Sequence, residues 1–523
     1  MRRGRRAGAA PALAAAALAL TLSACKLGPD FFSPAAPEET GYVGKGEPLP
    51  GEAAADAKLP PPQRITASTK LETEWWRLFR SPPLDAVVKE ALAGNPTIAQ
   101  ARSTLVSARE QVVAAAGGLL PQVDIAAGVG RQAVNVEVSG VSRSAIPVNV
   151  FSIGPTVSYA LDVFGGLKRQ VEAQQAQADV GEYQLAAAYL SLSGNVALEA
   201  ITVAGLRGQI ETVETILADD QKNVDLVKTA QAGGTASMVD VTQAQSQLAN
   251  DRTLLPPLRQ QLSVANHALA VYVGKTPATW SPPEFDLTAL TLPADLPVSL
   301  PSQLVRQRPD ILAAEANLHA AGALVGVATA NLYPNFTLTG GINQQATKLA
   351  DFFSGAYSAW SIGLGLAAPV FHGGTLKARE RAAVATFEAA RDGYRETVIQ
   401  AFGQVADLLE ALAHDQQAVV SQKQAADTAQ EALRLARLSF QNGNTTLLNV
   451  LDSERLSDQA RLGLVRAEAQ RLLDTAQLFV ALGSGWWNTP PNAPVPPPIE
   501  AGPAPPPRAA SPVPRPPRLS SAR

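Results

Sequence analysis

The sequence predicts a mixed α+β membrane protein built from two tandem repeats, and three observations carry that reading. Two stretches, 167–230 and 375–440, are rich in Ala and Gln and free of Pro. Ahead of each, the side-chain period changes from 3.6 to 2 and marks a pair of strands. The whole pattern then recurs at an offset of about 213 residues.

The two long stretches are rods. At 1.5 Å rise per residue, a helix over 167–230 spans roughly 95 Å. Helices in ordinary globular cores average about 11–12 residues, so rods of this length bridge a distance.

The strands come in pairs at 121–136 with 148–164, and at 333–346 with 356–371. Val123, Ile125, Ala127 and Val129 alternate with Asp124, Ala126, Gly128 and Gly130. Phe151, Ile153, Pro155, Val157, Tyr159, Leu161 and Val163 alternate with small or polar residues. In the second repeat Phe336, Leu338, Gly340 and Ile342, then Trp360, Ile362, Leu364 and Leu366, do the same. Each strand has one greasy and one wet face. A polar loop through Arg143 separates the first pair.

The repeat is visible at its punctuation. Arg308-Pro309 answers Asn95-Pro96, and Tyr333-Pro334 answers Leu120-Pro121. Phe371-His372-Gly373-Gly374 answers Phe164-Gly165-Gly166. The units are 71–276 and 302–487, joined by a Pro-rich linker at 277–301. Each reads helix, strand, strand, long helix, tight turn, return helix. The return helices run to 273 and 482. The tail, 488–523, is Pro-rich and is expected to be disordered.

The start carries an address. Arg2, Arg3, Arg5 and Arg6 precede an apolar run over 7–20, too short to span a bilayer. The run reads as a secretory signal, 1–24. Leu22-Ser23-Ala24-Cys25 resembles a lipobox, which implies that Cys25 is acylated; a plain signal peptide with an incidental Cys is the alternative. Lys26, rather than Asp, follows and favours the outer membrane. An extended arm, 25–70, leads from the anchor. No later segment offers 18 or more uninterrupted apolar residues.

Composition removes several classes. A net charge of −3 leaves no nucleic-acid footprint. One Cys excludes a disulfide framework and a Cys-rich zinc site. His267, His319, His372 and His414 lie far apart with no metal-ligand neighbour at helical spacing. No Walker-type loop appears. The chain reads as no enzyme, needs no cofactor beyond the covalent lipid, and takes its energy from a partner.

In lipid every backbone polar group needs a partner within the protein, so strands must close into a barrel. Four strands cannot close, since about eight make the smallest membrane barrel. Three chains supply twelve. Phe151, Phe164, Tyr333, Tyr357, Trp360 and Phe371 near strand ends suit membrane interfaces. A soluble sandwich is the alternative reading of the same strands.

These residues resemble the TolC-type outer-membrane efflux channels, in the lipoprotein branch that serves resistance-nodulation-division pumps. Trp75-Trp76-Arg77-Leu78-Phe79 with Pro83-Leu84, Asn95-Pro96, Leu120-Pro121, Arg308-Pro309-Asp310-Ile311, Ala314-Glu315 and Tyr333-Pro334 carry the resemblance, over 26–482. It implies a homotrimer with a twelve-stranded β-barrel in outer-membrane lipid and a twelve-helix α-barrel across the periplasm. It implies diacylglycerol and an N-acyl chain on Cys25, a periplasmic adaptor protein and an inner-membrane pump. The turns at 231–238 and 441–447, with Gly233, Gly234, Gly443 and Asn444, become the adaptor-docking tips. Leu448 and Asp452, one helical turn apart, become the periplasmic gate, with Asp452 forming a ring of carboxylates. Asn449 stands where some members carry a second acid. An ordinary solvated carboxylate is the alternative for Asp452. Small-molecule export, protein secretion and a lipidated periplasmic adaptor are the functions kept open, in that order.

Overall fold

The computed structural model describes residues 26–39, 41–44, 62–67, 73–138, 141–348 and 358–483. The signal 1–24, Cys25, Tyr357 and the tail 488–523 lie outside the described residues.

The chain order within the first repeat follows from local chemistry. A short strand, β1 (Arg64–Ala67), precedes a 3-10 turn at Trp75–Phe79. Helix α1 (Pro82–Gly94) starts where the Ser81 hydroxyl accepts from Leu84 N and where Pro occupies the first positions. Asn95 ends α1 and caps α2 (Pro96–Gly117) through its side chain on Thr97 N. Strands β2 (Gln122–Val138) and β3 (Val141–Leu161) follow, then the rod α3 (Gly166–Ala232), 67 residues long. Helices α4 (Met238–Arg252) and α5 (Leu255–Val273) return.

The second repeat opens with β4 (Asp295–Val298), α6 (Pro301–Leu304) and α7 (Pro309–Ala330). Strands β5 (Asn335–Ala346) and β6 (Ser358–Ala367) precede the rod α8 (Thr375–Gln441), again 67 residues, and α9 (Leu447–Ala481) returns. Rods of this length reach about 100 Å.

Four differences from the sequence reading have physical causes. The first return segment is two helices, not one, because Pro256 and Pro257 lack the N–H groups that would continue the ladder across Thr253 and Leu254. The first hairpin has almost no polar loop: backbone pairing continues to Val138↔Val141, because Val134, Val136 and Val138 keep a period of two beyond the point where the sequence reading ends the strand. Strand β3 stops at Leu161 because Asp162 turns away to accept from Leu167 N and Lys168 N at the start of α3. Strand β6 stops at Ala367, two residues before Pro369, which cannot donate to a ladder.

A second small sheet was not legible at all. Strand β1 of the arm pairs in parallel with β4 of the linker region, Arg64↔Asp295 through Ala67↔Val298. Both are four residues long with mixed side chains, too little pattern to read.

The main core lies where α1, α3, α5 and α9 meet. Trp75, Trp76, Phe79, Leu84, Ile201 and Phe479 are buried there. A second cluster around Leu304, Ile311, Leu409 and Leu478 serves the other repeat. Helices Gly166–Ala232 and Pro309–Ala330 are long and apolar enough to cross a membrane, by length and composition. Half of the apolar window in each is already buried inside the protein, so much of that apolarity serves packing.

Candidate functional site

The four long strands form one antiparallel sheet in the order β2-β3-β5-β6. Register decides what its faces are. Val123 pairs with Val157 and Ile125 with Pro155; Tyr159 pairs with Leu338 and Leu161 with Phe336; Phe336 pairs with Leu366, Leu338 with Leu364 and Ile342 with Trp360. Because side chains alternate, all these apolar residues fall on one face. The other face carries Asp124, Gly128, Ser152, Thr156, Ser158, Thr337, Thr339, Ser361, Gly363 and Gly365.

The apolar face is bare. Ile125, Val129, Trp360, Ile362, Leu364 and Leu366 are all exposed, from 62% to 77%. A monomeric soluble protein rarely leaves so large a patch uncovered. Strands β2 and β6 are the ends of the sheet order, so each presents an edge that is unpaired among the described residues. Below the sheet Phe164 stacks on Tyr333, with ring centroids 4.9 Å apart, and Phe371 stands 87% exposed.

At the far end of the rods, both turns are built on a glycine at positive φ, 76° at Gly234 and 74° at Gly443. A side chain there is strained whatever the space around it. Gly233 has an ordinary φ of −79° and acts as the cap of α3. Ser237 and Asp240 form a reciprocal capping box that starts α4, which makes Asp240 a structural helix-start residue. Asn444 N donates to Ser439 O and closes the second turn. Leu448 is exposed on the first turn of α9. Asp452, one turn on, accepts from Arg455 at 2.8 Å. Asn449 donates to Thr445.

The arm begins in a built clamp that the sequence did not announce. Arg169 on α3 is 1% exposed. It donates to the Leu27 and Gly28 carbonyls and to Asp30, and pairs with Glu172 at 3.0 Å. Lys26 and His319 also reach Glu172, at 2.6 and 3.1 Å, and Phe31 stacks on the His319 ring at 4.3 Å. Burial opposes ionisation of Glu172, but Lys26, His319 and Arg169 together outweigh it and hold the carboxyl at about 2. Lys26 follows Cys25 directly in the sequence, and the clamp fixes the described residues that come after that cysteine. Replacing Arg169 with alanine removes the bonds that hold Leu27, Gly28 and Asp30, while Glu172 keeps Lys26 and His319, and is expected to cost about 3 kcal/mol. Limited proteolysis followed by mass measurement checks this: residues 26–39 become cleavable, whereas an arm that stays protected contradicts the clamp.

A four-stranded sheet with one bare apolar face and two open edges, mounted on two helical rods of about 100 Å, defines a membrane channel protein of the outer-membrane type. Its family is shown by comparison. The outer membrane efflux protein family model matches residues 87–275 and 300–484, and the chain belongs to that family. It is 32% identical over 418 residues to the pyoverdine export outer membrane protein OpmQ of Pseudomonas aeruginosa, covering 79% of this chain and 87% of that one. It is 30% identical over 493 residues to the toluene efflux pump outer membrane protein TtgF of Pseudomonas putida, covering 90% and 96%. The solved outer-membrane channel OprN superposes with a TM-score of 0.77 at 26% identity, covering 88% of this chain and all of that one. The protein is therefore an outer-membrane exit duct for efflux, reaching into the periplasm, in a family of transport proteins. The adaptor reading falls with the family match.

Proposed function

We propose that three copies close one barrel of twelve strands in the outer membrane and one helical barrel of twelve helices across the periplasm. The observation that carries this is the sheet: four strands, one bare apolar face, both edges unpaired. Pairing β6 of one copy with β2 of the next removes every edge and turns the small and polar face inward, where it lines a water-filled lumen.

The duct is passive. Small molecules enter from an inner-membrane pump of the resistance-nodulation-division type through a periplasmic adaptor, which meets the tips at Gly233, Gly234, Gly443 and Asn444. Leu448 and Asp452 narrow the periplasmic end, and three-fold symmetry makes rings of them. The Arg455 partner neutralises part of each Asp452 charge, and Asn449 adds none, so the ring is a weak cation site. Cys25 carries diacylglycerol and an N-acyl chain, and the Arg169 clamp holds the arm that follows it, residues 27–30, against α3. The names of the relatives favour small-molecule export over protein secretion, since pyoverdine and toluene are small molecules.

Deletion of the gene, with a sensitivity panel of drugs and solvents and a survey of secreted protein, tests the reading. Expected is raised sensitivity, restored by the wild-type chain. Lost protein secretion with unchanged sensitivity would overturn it.

A further inference from the structure

Two carboxyls, each with one buried oxygen, have no role in the channel geometry above. Asp220 on α3 is 3% exposed, and its Oδ2 meets no donor among the described residues. The group it faces is another carboxyl, Asp251 on the return helix α4, within hydrogen-bonding reach. Asp415 on α8 repeats the arrangement. Its Oδ2 also meets no donor, and it faces Asp474 on the return helix α9, itself 8% exposed. Each rod therefore meets its own return helix through a carboxyl pair.

The surrounding charges do not resolve either pair. Around Asp220 stand Asp251 from α4, and Glu454 and Asp458 from α9. Asp219 and Arg461 lie near Asp458. Arg437 of α8 is engaged by Glu454 at 2.6 Å, and Asn223 donates to the same carboxylate. Gln247 donates to Asp251 at 2.7 Å. Around Asp415 stand Asp474 and Arg471; Arg471 donates to Gln63 at 3.2 Å, and Gln470 donates to Asp474 at 3.0 Å. Two ionised carboxylates facing each other inside a helix interface repel. One proton between them replaces the repulsion with a hydrogen bond.

We propose that each long hairpin is pinned by one shared proton, between Asp220 and Asp251 in the first and between Asp415 and Asp474 in the second, and that both hairpins loosen when the proton leaves to water. The pairs sit about 20 Å and about 39 Å from the turns at the rod ends, counting 1.5 Å per residue. That position makes them a pH-sensitive element of the periplasmic half, a placement that rests on the duct reading; the loosening itself does not.

The sign follows from the direction of the shift. Burial first, and the Asp251 carboxyl second, push Asp220 up to about 8; burial and Asp474 push Asp415 up to about 7. An unfolded Asp ionises near 3.9. Between those values the closed hairpin holds the extra proton. Its stability is full at and below the unfolded value, falls as pH rises, and is lowest once pH passes 7 to 8.

Hydrogen exchange on the full chain in mild detergent tests this at pH 6 and pH 9, corrected for intrinsic exchange rate. While one proton separates closed from open, the opening constant changes by up to about tenfold per pH unit. Peptides around 220 and 251, and around 415 and 474, are expected to open at least about tenfold more at pH 9. In Asp220→Asn the amide donates permanently to Asp251, so the first hairpin's response falls to less than half of the wild-type response while the second keeps its own; what remains comes from Asp458, which burial and Glu454 push up to about 7. Asp415→Asn reverses the pattern. A flat wild-type profile, or an unchanged slope in Asp220→Asn, overturns the proposal. Asp251→Asn serves where Asp220→Asn does not fold. The readout needs no transport and no adaptor, so it fails or succeeds independently of the duct reading.

Discussion

Arginine in place of Leu364 is expected to remove the protein from the outer membrane, while arginine in place of Ser361 leaves it there. Both positions lie on β6, three residues apart, and differ in face. Leu364 pairs with Leu338 on the bare apolar face and is 64% exposed. Ser361 pairs with Gly341 on the small-residue face. A charge on the lipid side near mid-membrane costs about 2–4 kcal/mol, and three copies multiply that to about 6–12 kcal/mol per barrel. The same charge in a wide lumen keeps its water. Fractionation of membranes on a density gradient reads the outcome. Leu364→Arg found in the outer membrane at the wild-type level would place lipid on the other face or nowhere on the sheet.

The second large effect lies in the core. Phe479 on α9 is 1% exposed and stacks on Trp75 at 5.6 Å, with Phe79 edge-on at 6.5 Å. The last helix of the second repeat is thereby fastened to the segment that opens the first. Removing an aromatic side chain from such a site costs about 3–5 kcal/mol, because the cavity does not refill. Phe479→Ala should therefore lower the thermal midpoint sharply in detergent, and Phe479→Leu should recover most of the loss. A midpoint in Phe479→Ala within a degree or two of the wild type would show that the repeats are held together elsewhere.

What could be read before the structure follows from the length of the signal. The rods were legible because 67 Pro-free residues leave no alternative, and the strands because a period of two continues over whole elements. The repeat was legible because its Pro and Gly punctuation is fixed by backbone geometry rather than by packing. The break at Pro256-Pro257 was not read, although two prolines mark it, because helical periodicity runs on both sides of them. The parallel pair β1–β4 joins segments some 230 residues apart, and four-residue strands carry no periodicity. The Arg169 clamp was not legible, since Arg169 and Glu172, three residues apart on α3, meet His319 and the arm only when α7 and residues 26–30 pack against α3. The carboxyl pairs were hidden for the same reason: Asp220 reads as a surface residue in an acidic helix until Asp251 is brought against it.

The central claim is that this sheet is a third of a barrel. Mass measurement of the protein extracted from outer membrane in mild detergent, with projection images of the same particles, tests it most directly. The account predicts three chains per particle, three-fold symmetry along the long axis, and no free sheet edges. A particle of one chain mass, stable in detergent with its apolar face uncovered, would contradict it.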